Sequence, residues 1–187
     1  MSMVSTEPIF EFYPSQEFRN HSSLLLEIGP GRGDFLFHLS QENPNQPIVA
    51  IEYKRKRFEK LIERTRKKER GNISLILGDA REALPLFFHE EQLEKIFIFH
   101  PDPWPKRRHA KHRLIQPDFL KILAGKMKKG GLLTIQTDDA PYAAWIESSL
   151  KTIDCWVSSE APQRSVRTLY EEKMQGKLIF TFTLKKC

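Results

Sequence analysis

Short apolar segments alternate with segments of helical periodicity through most of this chain, and this alternation restricts its fold more than any other feature. The strand-like apolar segments cover residues 23–29, 47–52, 72–79, 95–100 and 132–137. The helical segments cover residues 33–43, 54–70, 81–88, 116–127 and 140–151. Because strands that are apolar on both faces need helices over both, the pattern predicts an α/β fold with a doubly wound, mostly parallel sheet.

The alternation ends after residue 151. Residues 155–160 and 177–184 are strand-like with no helical segment between them, which predicts an antiparallel hairpin at the end of the sheet. The 12 prolines and 9 glycines are scattered and mark no linker. We therefore expect residues 1–187 to form a single domain with a short amino-terminal arm at 1–22.

Positive charge is concentrated in two segments. Residues 54–70 hold ten Lys/Arg against three Glu, and residues 106–113 hold five Lys/Arg with no acid. These segments carry +7 and +5, so a net charge of +6 leaves −6 for the rest of the chain. Two basic segments on an otherwise acidic protein indicate a polyanionic partner, of which nucleic acid is the commonest in the cytoplasm. The alternative for residues 54–70 alone is an ordinary solvated helix face.

Other features exclude some classes of function. The first residues lack a basic stretch followed by an apolar run, and the sequence has no 18 consecutive apolar residues, so we expect a cytoplasmic protein with no membrane segment. Cys155 and Cys187 are far apart and have no neighbouring His at ligand spacing, so we expect two free thiols and no metal.

Glycines and acids follow the first three predicted strands. The stretch EIGPGRGDF places Gly29, Gly31 and Gly33 between a strand and a helix, where missing side chains let a ligand approach the backbone. Glu52 and Asp79 end the next two strands. Since ligands of such sheets bind at the carboxyl ends of the strands, the pattern predicts a nucleotide-like cofactor there.

The charges at this edge discriminate between cofactors. A dinucleotide site prefers G-x-G-x-x-G, whereas residue 34 is Asp and Glu27 lies within the motif. Acids would repel a pyrophosphate but attract the sulfonium and ammonium groups of S-adenosylmethionine. In this respect the chain resembles the Rossmann-like methyltransferases, whose sheet also ends in an antiparallel hairpin.

The fourth strand runs into HPDPWPKRRHAKHR, residues 100–113. Prolines on both sides of Asp102 restrict the backbone, so the carboxylate projects from a stiff loop. Together with LLLEIGPGRGDF, QTDD and TLYEEKMQGKLIF, this stretch resembles the tRNA (guanine-N7)-methyltransferase family over residues 23–184. The resemblance implies a class I methyltransferase fold, S-adenosylmethionine as cofactor, tRNA as partner, G46 of the variable loop as target, and a monomer or homodimer.

The same resemblance implies roles for individual residues. Those expected to bind or shape the cofactor site are Glu27, Gly29, Gly31, Gly33, Glu52, Asp79, Ala80 and Asp102. Asp102 is also the expected catalytic residue. Those expected to contact the substrate are Lys106, Arg107, Arg108, Asp138, Thr168, Tyr170 and Glu171. The substrate loops are therefore residues 101–113 and 161–176.

The chemistry of guanine limits what Asp102 can do. N7 is a bare lone pair, so its methylation needs alignment and charge stabilisation rather than proton removal. A carboxylate can accept hydrogen bonds from the N1–H and amino group of guanine, which rejects adenine. Trp104 either stacks on the base or packs against the prolines. Besides the three basic residues already named, Lys111 and Arg113 are interpreted as phosphate contacts.

Two residues follow the fifth strand in QTDD. We expect Asp139 to cap the next helix and Asp138 to contact the substrate. His109 and His112 are three residues apart, but no carboxylate or Cys lies at ligand spacing beside them. We therefore expect them to contact RNA or to lie on the surface rather than to bind a metal.

Two other functions remain open. An amino-group methyltransferase would carry a related loop, although HPDPW lacks a Pro-Pro pair. An RNA-binding module without turnover would explain the basic segments but not the acids at four strand ends. An NAD-dependent enzyme is disfavoured by the glycine spacing and by those acids.

Overall fold

The computed structural model describes residues 10–14, 17–160 and 178–187. The strands are β1 (Glu11–Tyr13), β2 (Leu24–Ile28), β3 (Ile48–Glu52), β4 (Ile73–Leu77), β5 (Leu93–Phe99), β6 (Met127–Thr137), β7 (Trp156–Ser158) and β8 (Phe180–Lys186). The α-helices are α1 (Asp34–Glu42), α2 (Arg55–Lys67), α3 (Ala80–Phe87), α4 (Pro117–Lys126) and α5 (Ala140–Leu150). Two 3₁₀ helices cover Glu17–Asn20 and Arg107–His112.

All eight of these strands form one sheet in the order β1-β4-β3-β2-β5-β6-β8-β7. The central strands β4, β3, β2, β5 and β6 are parallel, and β8 is antiparallel to both β6 and β7. The order reverses between β2 and β5, so the point expected to bind ligands lies between these strands. The predicted doubly wound fold and its terminal hairpin are both confirmed.

Helices cover both faces of the sheet, as the apolar strands require. On one face, Phe35 and Leu36 of α1 and Phe58 of α2 pack with alternate residues of the strands, such as Leu25. The opposite face packs against α3, α4 and α5 in a larger apolar cluster. Each fully buried aliphatic or aromatic side chain contributes about 1.5–3 kcal/mol to folding. This two-sided burial holds the strand ends in place at the edge where the functional groups lie.

The strand β1 was not foreseen, because its region was expected to be only an arm. It pairs antiparallel with β4, with Phe12 opposite Ile76. Phe10 and Phe12 both make edge-on contacts with Phe87, at centroid separations of 4.8 and 4.9 Å. Three residues are too few for a recognisable period, so only the apolar contacts of the folded chain reveal this strand.

No helix within the described ranges is long and apolar enough to cross a membrane.

Candidate active site

The parallel strands bring their carboxyl ends to one edge of the sheet, where a cavity of about 490 Å³ opens. Its walls come from the ends of β2, β3, β4 and β5 and from the segment that follows β5. The predicted cofactor residues that line it are Gly29, Glu52, Asp79, Ala80 and Asp102. The structure therefore brings together residues that are up to 73 positions apart in the sequence.

The glycine turn shapes the wall beside β2. Gly33 has φ +80°, and an added Cβ would lie 2.6 Å from Leu61 Cδ2 and 3.0 Å from Phe37 Cε2. Gly31 also has positive φ, +58°, but an added Cβ there would meet open space. Gly33 is thus required for packing α1 against α2, whereas Gly31 is required by its backbone conformation alone.

Glu27 lies within β2 rather than at the cavity wall. It is 3% exposed and points to the same face as Leu25, since side chains alternate along a strand. Neither Gly31 nor Gly33 lines the cavity either. The structure therefore places these three predicted cofactor residues outside the lining of the cavity.

Glu52 is the most constrained acid of the site. Its side chain is 3% exposed, and one carboxylate oxygen accepts a hydrogen bond from the Lys54 backbone N–H at 2.8 Å. The other oxygen, Oε2, is buried with no hydrogen-bond partner among the described residues. Burial raises the pKa of Glu52, while the hydrogen bond from Lys54 and the charge of Arg57 partly offset that rise. An orphaned buried acceptor beside a cavity fits a ligand that donates hydroxyl groups.

Asp79 has two partners within its own turn. Its carboxylate accepts a hydrogen bond from the Arg81 backbone N–H at 2.9 Å, which caps α3, and also forms an ion pair with the Arg81 guanidinium. Burial would raise the pKa of Asp79, but the hydrogen bonds from Arg81 outweigh it and hold the pKa below its ordinary value. Asp79 is therefore an ionised acid on the cavity wall.

The loop after β5 begins and continues in unusual backbone conformations. His100 and Trp104 have φ +49° and +47°, values that non-glycine residues rarely adopt. The exposed Asp102 lies between them and lines the cavity. A loop with such backbone conformations persists only when surrounding residues hold it, and strained loops of this kind are common at functional sites.

Trp104 keeps 38% of its surface exposed and lines the same cavity as Asp102. Its ring contacts two imidazoles, with centroid separations of 5.8 Å to His109 and 5.2 Å to His112. The three rings form an aromatic cluster beside the loop that carries Asp102. The described residues contain no group of three His, Cys, Asp or Glu side chains that could hold a metal.

The basic residues after Trp104 separate into two kinds. Lys106, Arg108 and Lys111 are exposed on or next to the 3₁₀ helix, where phosphates can reach them. Arg113 is only 7% exposed, and its Nε donates a hydrogen bond to the Pro103 carbonyl at 2.9 Å. The interpretation of Arg113 as a phosphate contact was wrong, because the chain folds this side chain inward.

The two acids after β6 also differ in role. Asp139 accepts a hydrogen bond from the Tyr142 backbone N–H at 2.7 Å, which confirms the predicted cap of α5. Asp138 lies 3.3 Å from Nδ1 of His100. The predicted substrate residues Thr168, Tyr170 and Glu171 lie outside the described residues.

Sequence reasoning missed several residues of this region. Tyr53, Arg57 and Arg81 line the cavity, and Tyr142 and Trp145 pack on Arg113. A residue directly after a strand-ending acid, such as Tyr53, could have been found from its position. The partners of Arg113 could not, because they lie about 30 residues further along the chain.

The comparisons with known proteins agree with this geometry. Residues 21–177 match the family model Methyltransf_4, described as "Putative methyltransferase". A tRNA (guanine-N(7)-)-methyltransferase of Aquifex aeolicus is 36% identical over 168 residues, which are 88% of this chain and 57% of the relative. One of Nitrosomonas eutropha is 36% identical over 155 residues, which are 81% of this chain and 69% of the relative.

The structural neighbours have the same fold. The crystal structure of a SAM-dependent methyltransferase from Aquifex aeolicus matches with a TM-score of 0.63 at 15% identity, covering 92% of this chain and 87% of that one. TrmN from Thermus thermophilus matches with a TM-score of 0.66 at 20% identity, covering 89% of this chain and 45% of that one. Both likenesses identify a class I, Rossmann-like methyltransferase fold.

Proposed function

Because the chain belongs to the tRNA (guanine-N7)-methyltransferase family, we propose that it transfers a methyl group from S-adenosylmethionine to N7 of a guanine in tRNA. The observation that carries this proposal is a single cavity lined by both the buried Glu52 and the exposed Asp102. The chain spans only 57% and 60% of the first two curated relatives, so the activity and partners are proposed for it here. The proposed target is G46 of the variable loop, as the family resemblance implies.

The residues at the strand ends fit S-adenosylmethionine. The orphaned oxygen of Glu52 can accept hydrogen bonds from ribose hydroxyls, and the backbone of Gly29 leaves room for close approach. Asp79 and Ala80 line the wall beside them. Three acids of the lining are matched by three cations, Lys54, Arg57 and Arg81. The choice of S-adenosylmethionine over a pyrophosphate therefore rests on the family and not on the charge of the cavity. When bound, S-adenosylmethionine supplies an activated methyl group.

Asp102 orients the guanine in this mechanism. Its carboxylate accepts hydrogen bonds from N1–H and the exocyclic amine, which aligns N7 and offsets the positive charge that develops on the purine. No proton has to leave the ring at N7, so general-base work is not required. Trp104, half-exposed beside Asp102, is placed to stack on a base that has left its helix.

The exposed basic residues are proposed to hold the tRNA backbone. Lys106 and Arg108 lie beside the catalytic loop, and Lys56 and Lys60 lie one turn apart on the exposed face of α2. Arg57 of α2 lines the same cavity as Trp104, so the two basic segments flank one opening. Contacts of this kind position RNA without reading its sequence.

We further propose that residues 1–187 act as a single methyltransferase domain in the cytoplasm, as a monomer or a homodimer. The proposed substrate loops of this domain are residues 101–113 and 161–176. The residues proposed to contact the tRNA, besides Lys106 and Arg108, are Arg107, Asp138, Thr168, Tyr170 and Glu171.

The experiment that tests the proposal identifies the methylated nucleoside. The purified protein is incubated with unmodified tRNA transcript and methyl-labelled S-adenosylmethionine, and the RNA is digested to nucleosides. We expect labelled 7-methylguanosine, reduced about 100- to 1000-fold in Asp102→Ala because a stabilising group at the reacting base is removed. Asp154→Ala is the matched control, since Asp154 is exposed just before β7 at the opposite edge of the sheet.

The other outcomes separate the alternatives. Label in N2-methylguanosine or N6-methyladenosine would establish an amino-group methyltransferase. Binding of tRNA with no label in any nucleoside would establish an RNA-binding module without turnover. Equal activity of Asp102→Ala and Asp154→Ala would remove Asp102 from the reaction.

A further inference from the structure

Arg113 is a buried cation that ends the basic segment. Its guanidinium carbon lies 5.1 Å from the centroid of the Tyr142 ring and 5.5 Å from that of the Trp145 ring, both on α5. Its Nε donates to the carbonyl of Pro103, the residue directly after Asp102. Arg113 therefore links the catalytic loop to α5 through one hydrogen bond and two cation–π contacts.

Hydrogen bonds also hold the start of helix α5 and the two rings that contact Arg113. Asp139 caps its first turn by accepting the Tyr142 backbone N–H. The Tyr142 hydroxyl accepts the Ile115 backbone N–H at 3.0 Å, and Trp145 Nε1 donates to the Ile115 carbonyl at 2.8 Å. The rings that hold Arg113 also hold the backbone two residues after it. The guanidinium consequently lies against two rings that are themselves hydrogen-bonded to the Ile115 backbone.

The catalytic loop needs support of this kind. His100 and Trp104 both have positive φ, and Pro101, Pro103 and Pro105 have no backbone N–H to donate. A loop in rarely populated conformations persists only when its surroundings hold it. The Pro103 carbonyl is the backbone acceptor through which Arg113, at the far end of the loop, reaches the residue next to Asp102.

We propose that Arg113 is a positioning residue, which holds the Asp102 loop in fixed register with α5 and so with Asp138, directly before the Asp139 cap. The inference rests on the proposed function, because it assigns both acids to the guanine site. Asp102 follows β5 and Asp138 follows β6, so the distance between them depends on how the loop is tied to α5. Arg113 makes this connection, although its place in the basic segment suggested contact with RNA.

The structural arm of the test is limited proteolysis with trypsin. Cleavage after Lys106, Arg107 or Arg108 reports opening of the segment that Arg113 holds, and mass spectrometry identifies the cut. We expect Arg113→Met to raise the rate of cleavage at these sites about 3- to 10-fold, because it removes one hydrogen bond and the cation between the two rings. The matched control is Arg19→Met, since Arg19 also lies over a ring, 5.9 Å from the Phe87 centroid, at the opposite edge of the sheet.

The activity arm separates positioning from general stability. We expect kcat to fall about 10- to 100-fold in Arg113→Met, with KM for S-adenosylmethionine changed less than about 2-fold, because misplacement of a reacting group lowers kcat selectively. Arg113→Lys keeps the cation between the rings but lacks the Nε donor, so its kcat should lie between those of Arg113→Met and the wild-type protein. Arg19→Met should leave both parameters unchanged.

Two results would overturn the inference. Unchanged cleavage and unchanged kcat in a folded Arg113→Met protein would show that the loop holds itself. If Arg113→Met fails to fold, Arg113→Lys replaces it, because it removes the Nε donor to Pro103, and an unchanged cleavage rate in that variant counts against the inference equally. If the wild-type protein makes no 7-methylguanosine, the proposed function fails while the proteolysis still decides whether Arg113 holds the loop.

Discussion

The imidazole Nδ1 of His100 lies 3.3 Å from Oδ1 of Asp138, and this contact joins the end of β5 to the end of β6. The two strands are neighbours in the sheet, and the His100 backbone N–H also donates to the Gln136 carbonyl at 2.8 Å. His100 thus orients an acid proposed to contact the guanine.

This contact predicts different effects for two replacements of His100. His100→Leu cannot hydrogen-bond to Asp138, so kcat should fall about 10-fold as the carboxylate loses its orientation. His100→Asn retains a short donor and should have a smaller effect on kcat. The control is His89→Leu, an exposed histidine at the opposite edge of the sheet, and the measurement is steady-state methylation of tRNA. A kcat in His100→Leu equal to that of the wild-type protein would show that this contact does not matter.

The carboxylate of Glu52 should contribute strongly to the affinity for S-adenosylmethionine. Glu52→Gln removes a charged acceptor, so the Kd of S-adenosylmethionine measured by calorimetry should rise about 10- to 100-fold. Glu42→Gln, at the exposed end of α1, is the control and should bind normally. A Kd that changes less than about 2-fold in Glu52→Gln would exclude the ribose contact.

The raised pKa of Glu52 also predicts a pH dependence of stability without cofactor. The folded state holds the proton more tightly than the unfolded state, so this stabilisation is complete below about 4.5, the ordinary value. The stabilisation disappears as the pH rises through the folded pKa. Melting temperatures measured across this range should therefore fall more in the wild-type protein than in Glu52→Gln. Parallel curves would show that the carboxyl group titrates normally.

The two basic segments should both contribute to the salt dependence of tRNA binding. Lys106→Ala with Arg108→Ala, and Lys56→Ala with Lys60→Ala, should each weaken binding and reduce the slope of log K against log salt by about 1 for each phosphate that is no longer neutralised. Lys128→Ala with Lys129→Ala, at the start of β6, removes two charges from the other edge and serves as control. If the α2 pair behaves like the control, α2 has an ordinary solvated face.

Two glycines of one turn should differ in their tolerance of alanine. Gly31→Ala meets open space and bears only the strain of positive φ, about 1–2 kcal/mol of unfolding free energy. Gly33→Ala adds a clash with Leu61 and Phe37, which should cost a further ~1–3 kcal/mol. Denaturant unfolding of the two variants compares them directly. Equal reductions in the free energy of unfolding would mean that α1 and α2 shift apart freely.

Local sequence patterns predicted much of this molecule. The apolar segments identified β2 to β6 in their order, because strands buried on both faces must be apolar throughout. The Gly29 turn and the Asp139 cap could be located because each depends on neighbouring residues and a known backbone requirement. The positions of Glu52 and Asp102 at strand ends followed from the same reasoning, since parallel strands end at one edge of a sheet.

The tertiary structure alone decided which charged groups face the solvent and which are buried. Lys111 and Arg113 are two residues apart in one basic segment, yet one is exposed and the other lies between two rings of α5. The pairing of β1 with β4 and the contact between His100 and Asp138 likewise join residues more than 35 positions apart. Such contacts depend on how helices and strands pack, and the sequence around a single residue contains no information about partners that folding brings to it.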